Sequence, residues 1–202
     1  MKPEKFQSEV IEVKELSPDV KHFTLSTPEN FDFIPGQYLS IILDEGNKRI
    51  RRPYSIASKP MPGKVEFCIK IIPDGLATPI IDKLKSGDKV ELLGPLGDFK
   101  IDEESKDKNL VFISTGTGIG PFRSMIPDLL EGNFNKNITL ISGYREYILY
   151  NEEFKELESK YENFSYKPIT SPNRVQNNLD NISKENTHFY ICGLKDMINS
   201  VR

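Results

Sequence analysis

At 202 residues the chain can hold one large domain or two of about 100 residues each, and a hydrophobic share of 37% with 12 Phe and 8 Tyr supplies ordinary cores. A charged share of 28% and a net charge of −3 point to a soluble protein with no pull toward nucleic acid or an anionic membrane, and no apolar run approaches the ~20 residues of a spanning helix. The 2 cysteines, Cys68 and Cys192, make no disulfide framework and are too few for an iron–sulfur centre, and Met1-Lys2-Pro3-Glu4-Lys5 leads into no apolar targeting stretch, so the expected compartment is the cytosol.

In the first half, short apolar runs at residues 10–13, 20–25, 38–43, 65–72 and 90–93 alternate with turn residues. Those turns are Ser17-Pro18-Asp19, Asp44-Glu45-Gly46-Asn47, Pro60-Met61-Pro62-Gly63 and Ser86-Gly87-Asp88. Short strands at this spacing predict an antiparallel barrel or sandwich. A further strand carries Arg52-Pro53-Tyr54-Ser55. Alternation puts Arg52 and Tyr54 on one face, where a guanidinium can hold a phosphate and a phenol can stack on a flat ring. The plainer alternative is a packed barrel tyrosine beside a solvated arginine. Residues 78–84 read as a short helix with Pro79 at its start, and Gly75-Leu76-Ala77-Thr78 brings N–H groups that suit an anion.

The rhythm changes after the charged stretch 102–108. Strands at 110–114, 138–142, 164–169 and 187–192 alternate with helices at 121–131, 151–160, near 175–181 and from Leu194 onward. That alternation predicts a parallel α/β sheet. The boundary is expected between Ile101 and Asn109, giving domains 1–103 and 104–202. In an open α/β sheet, ligands bind beyond the carboxyl ends of the strands. Gly116-Thr117-Gly118-Ile119-Gly120-Pro121, Gly143-Tyr144-Arg145, Thr170-Ser171 and Cys192-Gly193 all fall there. Tight strand–helix turns need Gly and Ser in any case, so their shared location is the stronger evidence. The glycine loop between a strand and a helix start is suited to a phosphate.

Taken in order, these motifs resemble the ferredoxin–NADP reductase-like flavoenzyme superfamily, from about Phe6 to the C-terminus. The resemblance implies two domains, an N-terminal antiparallel β-barrel that binds flavin and an α/β parallel-sheet domain that binds nucleotide. The family's R-x-[YF]-S motif is matched by Arg52, Tyr54 and Ser55, with Pro53 between them. It implies that Arg52 binds the FAD pyrophosphate, Tyr54 stacks on the isoalloxazine and Ser55 lies near the reactive N5. Gly75 and Thr78, flanking Leu76 and Ala77, match the G-x-x-[ST] helix start that caps the same pyrophosphate. Backbone contacts to the flavin map to Ile69, Lys70 and Ile71. Pro35-Gly36-Gln37 and Gly94-Pro95-Leu96-Gly97-Asp98-Phe99 match two further family segments. Gly116, Thr117, Gly118, Gly120 and Pro121 match the pyridine-nucleotide pyrophosphate loop, and Arg145 with Tyr150 matches a G-x-R...Y segment. Cys192, Gly193 and Met197 match C-G-x-x-x-M, whose Cys lies near the nicotinamide.

The chain also departs from the family. NADP-specific members carry a Ser-Arg pair after the third strand, whereas Ser171 is followed here by Pro172-Asn173 and then Arg174. NADH and NADPH therefore carry equal weight, and Ser171 and Arg174 are where the 2′-phosphate would be read. Members continue past the C-G-x-x-x-M segment through a complete helix, so the stop at Arg202, about two turns after Gly193 by helical rise, is expected of a compact variant or an incomplete sequence. The implied activity is hydride transfer from NADPH or NADH to FAD, with Ser55 and Cys192 as catalytic candidates. Electrons then pass to an acceptor such as ferredoxin or flavodoxin. The alternatives are a free-flavin or quinone reductase, the reductase subunit of an oxygenase, or a non-catalytic flavin- or nucleotide-binding subunit. No metal is expected. His22 and His188 are read as structural or surface residues, and Cys68 as a small core residue.

Overall fold

Backbone pairing carries the strands at 10–13, 38–43 and 90–93 beyond their apolar runs, whereas the run 65–72 leaves its ladder after Lys70. In the computed structural model, which describes residues 2–46, 48–180 and 182–201, the first half holds β1 (Glu4–Ser17), β2 (Val20–Ser26), β3 (Tyr38–Glu45), β4 (Lys48–Ser55), β5 (Lys64–Lys70) and β6 (Lys89–Leu96). β1 pairs with β6 over residues 4–9 and with β2 over residues 10–17. Changing partner midway lets mostly polar residues stay in a ladder that hydrophobic periodicity alone does not reveal. The sheet order is β4-β3-β6-β1-β2-β5. Its two end strands meet where Ile56 bridges Phe67 and the Ala57 N–H donates to the Glu66 carbonyl at 2.7 Å, which closes the sheet. Phe23, Leu25, Leu39, Ile41, Phe67 and Ile69 fill the interior.

The short helix α1 (Thr78–Ile81) ends earlier than expected. Beyond Asp82 the chain tightens into turns, Lys83 N–H to Ile80 O at 3.2 Å and Leu84 N–H to Ile81 O at 3.0 Å. Ala77 and Ile81 pack on the barrel core and so hold the helix in place. The expected turn at 44–47 ends on Asn47, which lies outside the described residues.

The first unit comprises residues 1–100 and the second residues 101–202. In the second, β7 (Asn109–Thr115), β8 (Ile138–Tyr144), β9 (Phe164–Thr170) and β10 (Thr187–Cys192) form a parallel sheet in the order β10-β7-β8-β9. α2 (Gly120–Glu131), α3 (Asn151–Lys160) and α4 (Lys195–Val201) alternate with the strands. Central β7 is buried from Leu110 to Ser114, as a strand covered on both faces must be. Its Phe112 ring lies 5.0 Å from Phe122 of α2 and 5.3 Å from Tyr190 of β10.

The helix expected near 175–181 is a 3₁₀ turn, Val175–Asn178, and Asn181 lies outside the described residues. Asn178 Nδ2 donates to the Arg174 carbonyl at 2.9 Å, a local side-chain bond that competes with helix propagation. Among the described residues no helix is long and apolar enough to cross a membrane.

Candidate cofactor and nucleotide sites

On β4 burial alternates. Ile50 is buried, Arg51 exposed, Arg52 half-buried, Pro53 exposed and Tyr54 half-buried. Arg52 and Tyr54 thus share the inward face, and Tyr54 packs against the barrel core alongside Ile71. Tyr54 is therefore packed as the plainer expectation has it, and Arg52 stays half-exposed beside it. The Arg52 Nη1 donates to the Arg51 carbonyl at 2.9 Å, and no carboxylate pairs with this guanidinium among the described residues. Burial raises the Tyr54 phenol above its ordinary pKa, and the nearby Arg52 charge partly offsets this. Ser55 closes β4 opposite Tyr38, with no hydrogen-bond partner for its hydroxyl among the described residues.

Ile69 is buried in the core and Lys70 pairs at the surface with Asp19 at 2.9 Å. That hydrogen bond holds the Asp19 carboxyl below its ordinary pKa. The Ile71 N–H donates to the Asp19 carbonyl at 2.8 Å, so of its two backbone groups only the carbonyl can serve a ligand. Further on, Thr78 Oγ1 accepts from Ile72 N–H at 3.1 Å and donates to Ile72 O at 2.8 Å, and Gly75 N–H donates to the same carbonyl at 2.9 Å. A Cβ on Gly75 would lie 2.7 Å from Thr78 Oγ1, so this closure needs glycine. With Thr78 committed, α1 has no side-chain cap and no acidic residue in its first turn. The Leu76 and Ala77 N–H groups have no acceptor among the described residues.

In the second unit the glycine loop is itself a 3₁₀ turn, Gly116–Ile119, running directly into α2. Gly116 has φ +53° with open space where a Cβ would stand, which lets a ligand approach the backbone. Gly118 serves packing. A Cβ there would lie 2.7 Å from the Cys192 carbonyl carbon and 2.8 Å from Gly193 Cα. Thr115 Oγ1 accepts from Leu194 N–H at 3.2 Å, and a Cβ on Gly193 would lie 2.9 Å from Met197 Cε. Thr115, Gly118, Cys192, Gly193 and Met197 therefore form one knot at the ends of β7 and β10. Gly120 and Pro121 are buried, so of this motif Gly116, Thr117 and Gly118 reach the surface. Burial pushes the Cys192 thiol up to about 11, so it is a neutral thiol at physiological pH.

At the ends of β8 and β9, Tyr144 pairs with Thr170, and Ser171 N–H donates to the Tyr144 carbonyl at 3.2 Å. Arg145, Ser171 and Arg174 are exposed, and neither guanidinium has an ion-pair partner among the described residues. A Cβ on Gly143 would lie 2.9 Å from Val175 Cγ1, so the turn bearing Arg174 is seated on the strand end.

Thr115 heads the glycine stretch in the sequence without a role of its own, and only the structure shows its hydroxyl accepting from Leu194 N–H. Tyr150 was matched only as a motif letter. In the structure it is a buried αL residue at φ +56° under the Arg123 guanidinium, 4.4 Å from the ring centroid. Arg123 also pairs with Glu153 at 2.7 Å, so this group anchors α3.

FAD and a pyridine nucleotide fit these donor sets. The starts of α1 and of the Gly116 turn lack both a side-chain cap and an acid, whereas α3 opens with Glu152 and Glu153. An unneutralised helix start attracts a phosphate, and one already lined with carboxylates repels it.

Residues 7–101 match the family model of the oxidoreductase FAD-binding domain, and residues 112–202 that of the oxidoreductase NAD-binding domain. The phenol hydroxylase P5 protein of Acinetobacter pittii is 38% identical over 167 residues, which is 81% of this chain and 46% of that protein. Ferredoxin–NADP reductase B of Sorangium cellulosum is 28% identical over 222 residues, covering 98% of this chain and 90% of the relative. A solved ferredoxin NADP+ reductase from Neisseria gonorrhoeae with bound FAD and NADP is similar at TM-score 0.86 and 25% identity, over 98% of this chain and 88% of that one. The chain spans about half the length of the phenol hydroxylase relatives that it matches.

Proposed function

The chain belongs to the ferredoxin–NADP reductase-like superfamily of flavoprotein oxidoreductases, and from that premise we propose that it moves hydride from NADH or NADPH to FAD and passes the electrons to an acceptor protein. The observation that carries this is Arg52 beside Tyr54 on β4, a guanidinium with no carboxylate partner among the described residues next to a half-exposed aromatic ring. Bound FAD would supply the redox chemistry, taking up a hydride and giving up electrons in ones or twos.

The protein's own residues bind and orient. Arg52 and the N–H groups of Leu76 and Ala77, which have no acceptor among the described residues, hold the flavin pyrophosphate, with Gly75 and Thr78 shaping that turn. Tyr54 offers its ring, Ser55 its hydroxyl near the reacting nitrogen, and Ile69, Lys70 and Ile71 their backbone edge. Gly116, Thr117 and Gly118 hold the nucleotide pyrophosphate, while Gly120 and Pro121 set the helix beneath it. Cys192, with Gly193 and Met197, borders the nicotinamide as an uncharged thiol. Arg145, Ser171 and Arg174 address the adenosine end, and a 2′-phosphate there would engage Arg174.

The acceptor in this proposal is a ferredoxin or flavodoxin. A second reading, the reductase part of an oxygenase system, is favoured by the 38% and 37% identity to phenol hydroxylase and phenol 2-monooxygenase reductase proteins, against 28% to the ferredoxin reductase. The cytosolic setting belongs to the same proposal. Purified protein should carry the visible absorption band of flavin, and anaerobic NADH or NADPH should bleach it. A colourless protein that takes up no added FAD defeats the proposal. Bound flavin that neither nucleotide bleaches leaves a non-catalytic carrier. Titrating both nucleotides side by side assigns the donor, and reoxidation by ferredoxin, flavodoxin or an oxygenase component separates the two acceptors.

A further inference from the structure

The segments Pro35-Gly36-Gln37 and Gly94-Pro95-Leu96-Gly97-Asp98-Phe99 supply no ligand group to the function above, yet the structure joins them through one side chain. Gln37 Oε1 accepts from Ile34 N–H at 2.9 Å and its Nε2 donates to the Gly97 carbonyl at 3.1 Å. Its backbone N–H donates to Ile34 O at 3.0 Å, and its own carbonyl accepts from Ile56 N–H at 3.0 Å. The Ile34 N–H can only donate, which fixes the amide orientation and leaves Nε2 for Gly97. The next residue, Tyr38, pairs with Ser55 of β4 on one side and Leu96 of β6 on the other. A Cβ on Gly97, at φ +96°, would lie 2.9 Å from Tyr38 Cδ1, so glycine alone lets that turn close over the ring.

We propose that Gln37 is a positioning residue that sets Ser55, by locking the end of β4 through Ile56 to the Gly97 turn at the end of β6. The proposal rests on the flavoenzyme function above. Ile56 directly follows Ser55 and is fully buried, so its bond to Gln37 fixes the backbone that carries the Ser55 hydroxyl. With no hydrogen bond of its own among the described residues, that hydroxyl takes its place from the backbone alone. None of the four bonds of Gln37 involves Arg52 or the start of α1. Loss of the tie should therefore separate flavin binding from hydride transfer.

The decisive variant is Gln37→Glu, which keeps an acceptor for Ile34 N–H but turns an unprotonated carboxylate toward the Gly97 carbonyl. Gln37→Met, similar in bulk and lacking both polar atoms, serves if the first variant folds poorly. FAD titration of apoprotein should give a Kd within about threefold of wild type, while single-turnover hydride uptake falls about tenfold, the scale of one neutral hydrogen bond. Exchange of the Ile56 amide should quicken in the apoprotein. In a Ser55→Ala background the same substitution should cost less than about twofold, because coupled residues are not additive. Protonating the introduced carboxyl restores the donor, so the deficit relative to wild type should shrink as pH falls. Additive losses in the double variant, a rate equal to wild type, or FAD affinity falling in step with rate would overturn the role of Gln37 alone. Wild-type protein that binds no FAD overturns the function itself.

Discussion

Gly116 and Gly118 stand two residues apart in one motif and are glycine for different reasons. At Gly116 the backbone is left-handed and the space is open, whereas at Gly118 a side chain would strike the Cys192–Gly193 backbone. Gly118→Ala should cost about 1–3 kcal/mol in urea unfolding, the scale of overpacking. Gly116→Ala should cost about 1–2 kcal/mol through conformation alone. On β4, Arg52→Ala should weaken FAD binding by about 1.5–3 kcal/mol, roughly ten- to a hundredfold, as expected for a charged hydrogen bond. Ser55→Ala should keep FAD and lose about a hundredfold in hydride transfer. Full flavin occupancy in Arg52→Ala would remove that residue from the site.

Among the elements, the 3₁₀ turn Glu103–Ser105 and β10 are joined by a hydrogen-bond cluster outside the proposed sites. Ser105 Oγ is fully buried and lies 2.7 Å from each of Asp102 Oδ1, His188 Nδ1 and Tyr190 OH. A hydroxyl has one proton to give and two lone pairs to receive. The carboxylate can only accept, so Ser105 donates to Asp102, and His188 Nδ1–H and the Tyr190 hydroxyl donate to Ser105. Nitrogen chemical shifts should accordingly place the His188 proton on Nδ1. The Ser105 hydroxyl holds the Asp102 carboxyl below its ordinary value, with its backbone N–H and the nearby His188 contributing. A lowered folded-state pKa stabilises the protein above the unfolded value, about 3.9, and that contribution is lost as pH falls through the folded value. Thermal midpoints measured toward acid should thus fall more steeply for wild type than for Asp102→Asn. Ser105→Ala should lower the midpoint at neutral pH by stranding its partners.

For the whole molecule, each unit has its own core and its own proposed ligand. Barrel residues around Phe23 and Phe67 form one cluster, and Val111, Ile113, Ile141, Val175 and Met197 form another in the second unit. FAD should therefore protect amides of residues 1–100, and NAD(P)+ those of residues 101–202, each by about 2.7 kcal/mol at a hundredfold excess over its Kd. Hydrogen exchange with each ligand separately checks this, and protection by FAD confined to the second unit would reverse the assignment.

Local pattern carried the strand alternation of β2 to β5, the strand–helix rhythm after Asn109 and the shared face of Arg52 and Tyr54. These were legible because side-chain periodicity and turn chemistry are written in consecutive residues. The helix misread near Val175 shows the limit of that pattern, since Asn178 had a backbone carbonyl to bind instead. What only the tertiary structure decided joins residues far apart in the chain. Examples are the partner change of β1, the closure of Ile56 on Phe67, the reach of Gln37 to Gly97 and the convergence of His188 and Tyr190 on Ser105. The same holds for which candidates are spent and which are free, because a hydroxyl such as Thr78 or an amide such as Ile71 meets its partner only once the chain has folded.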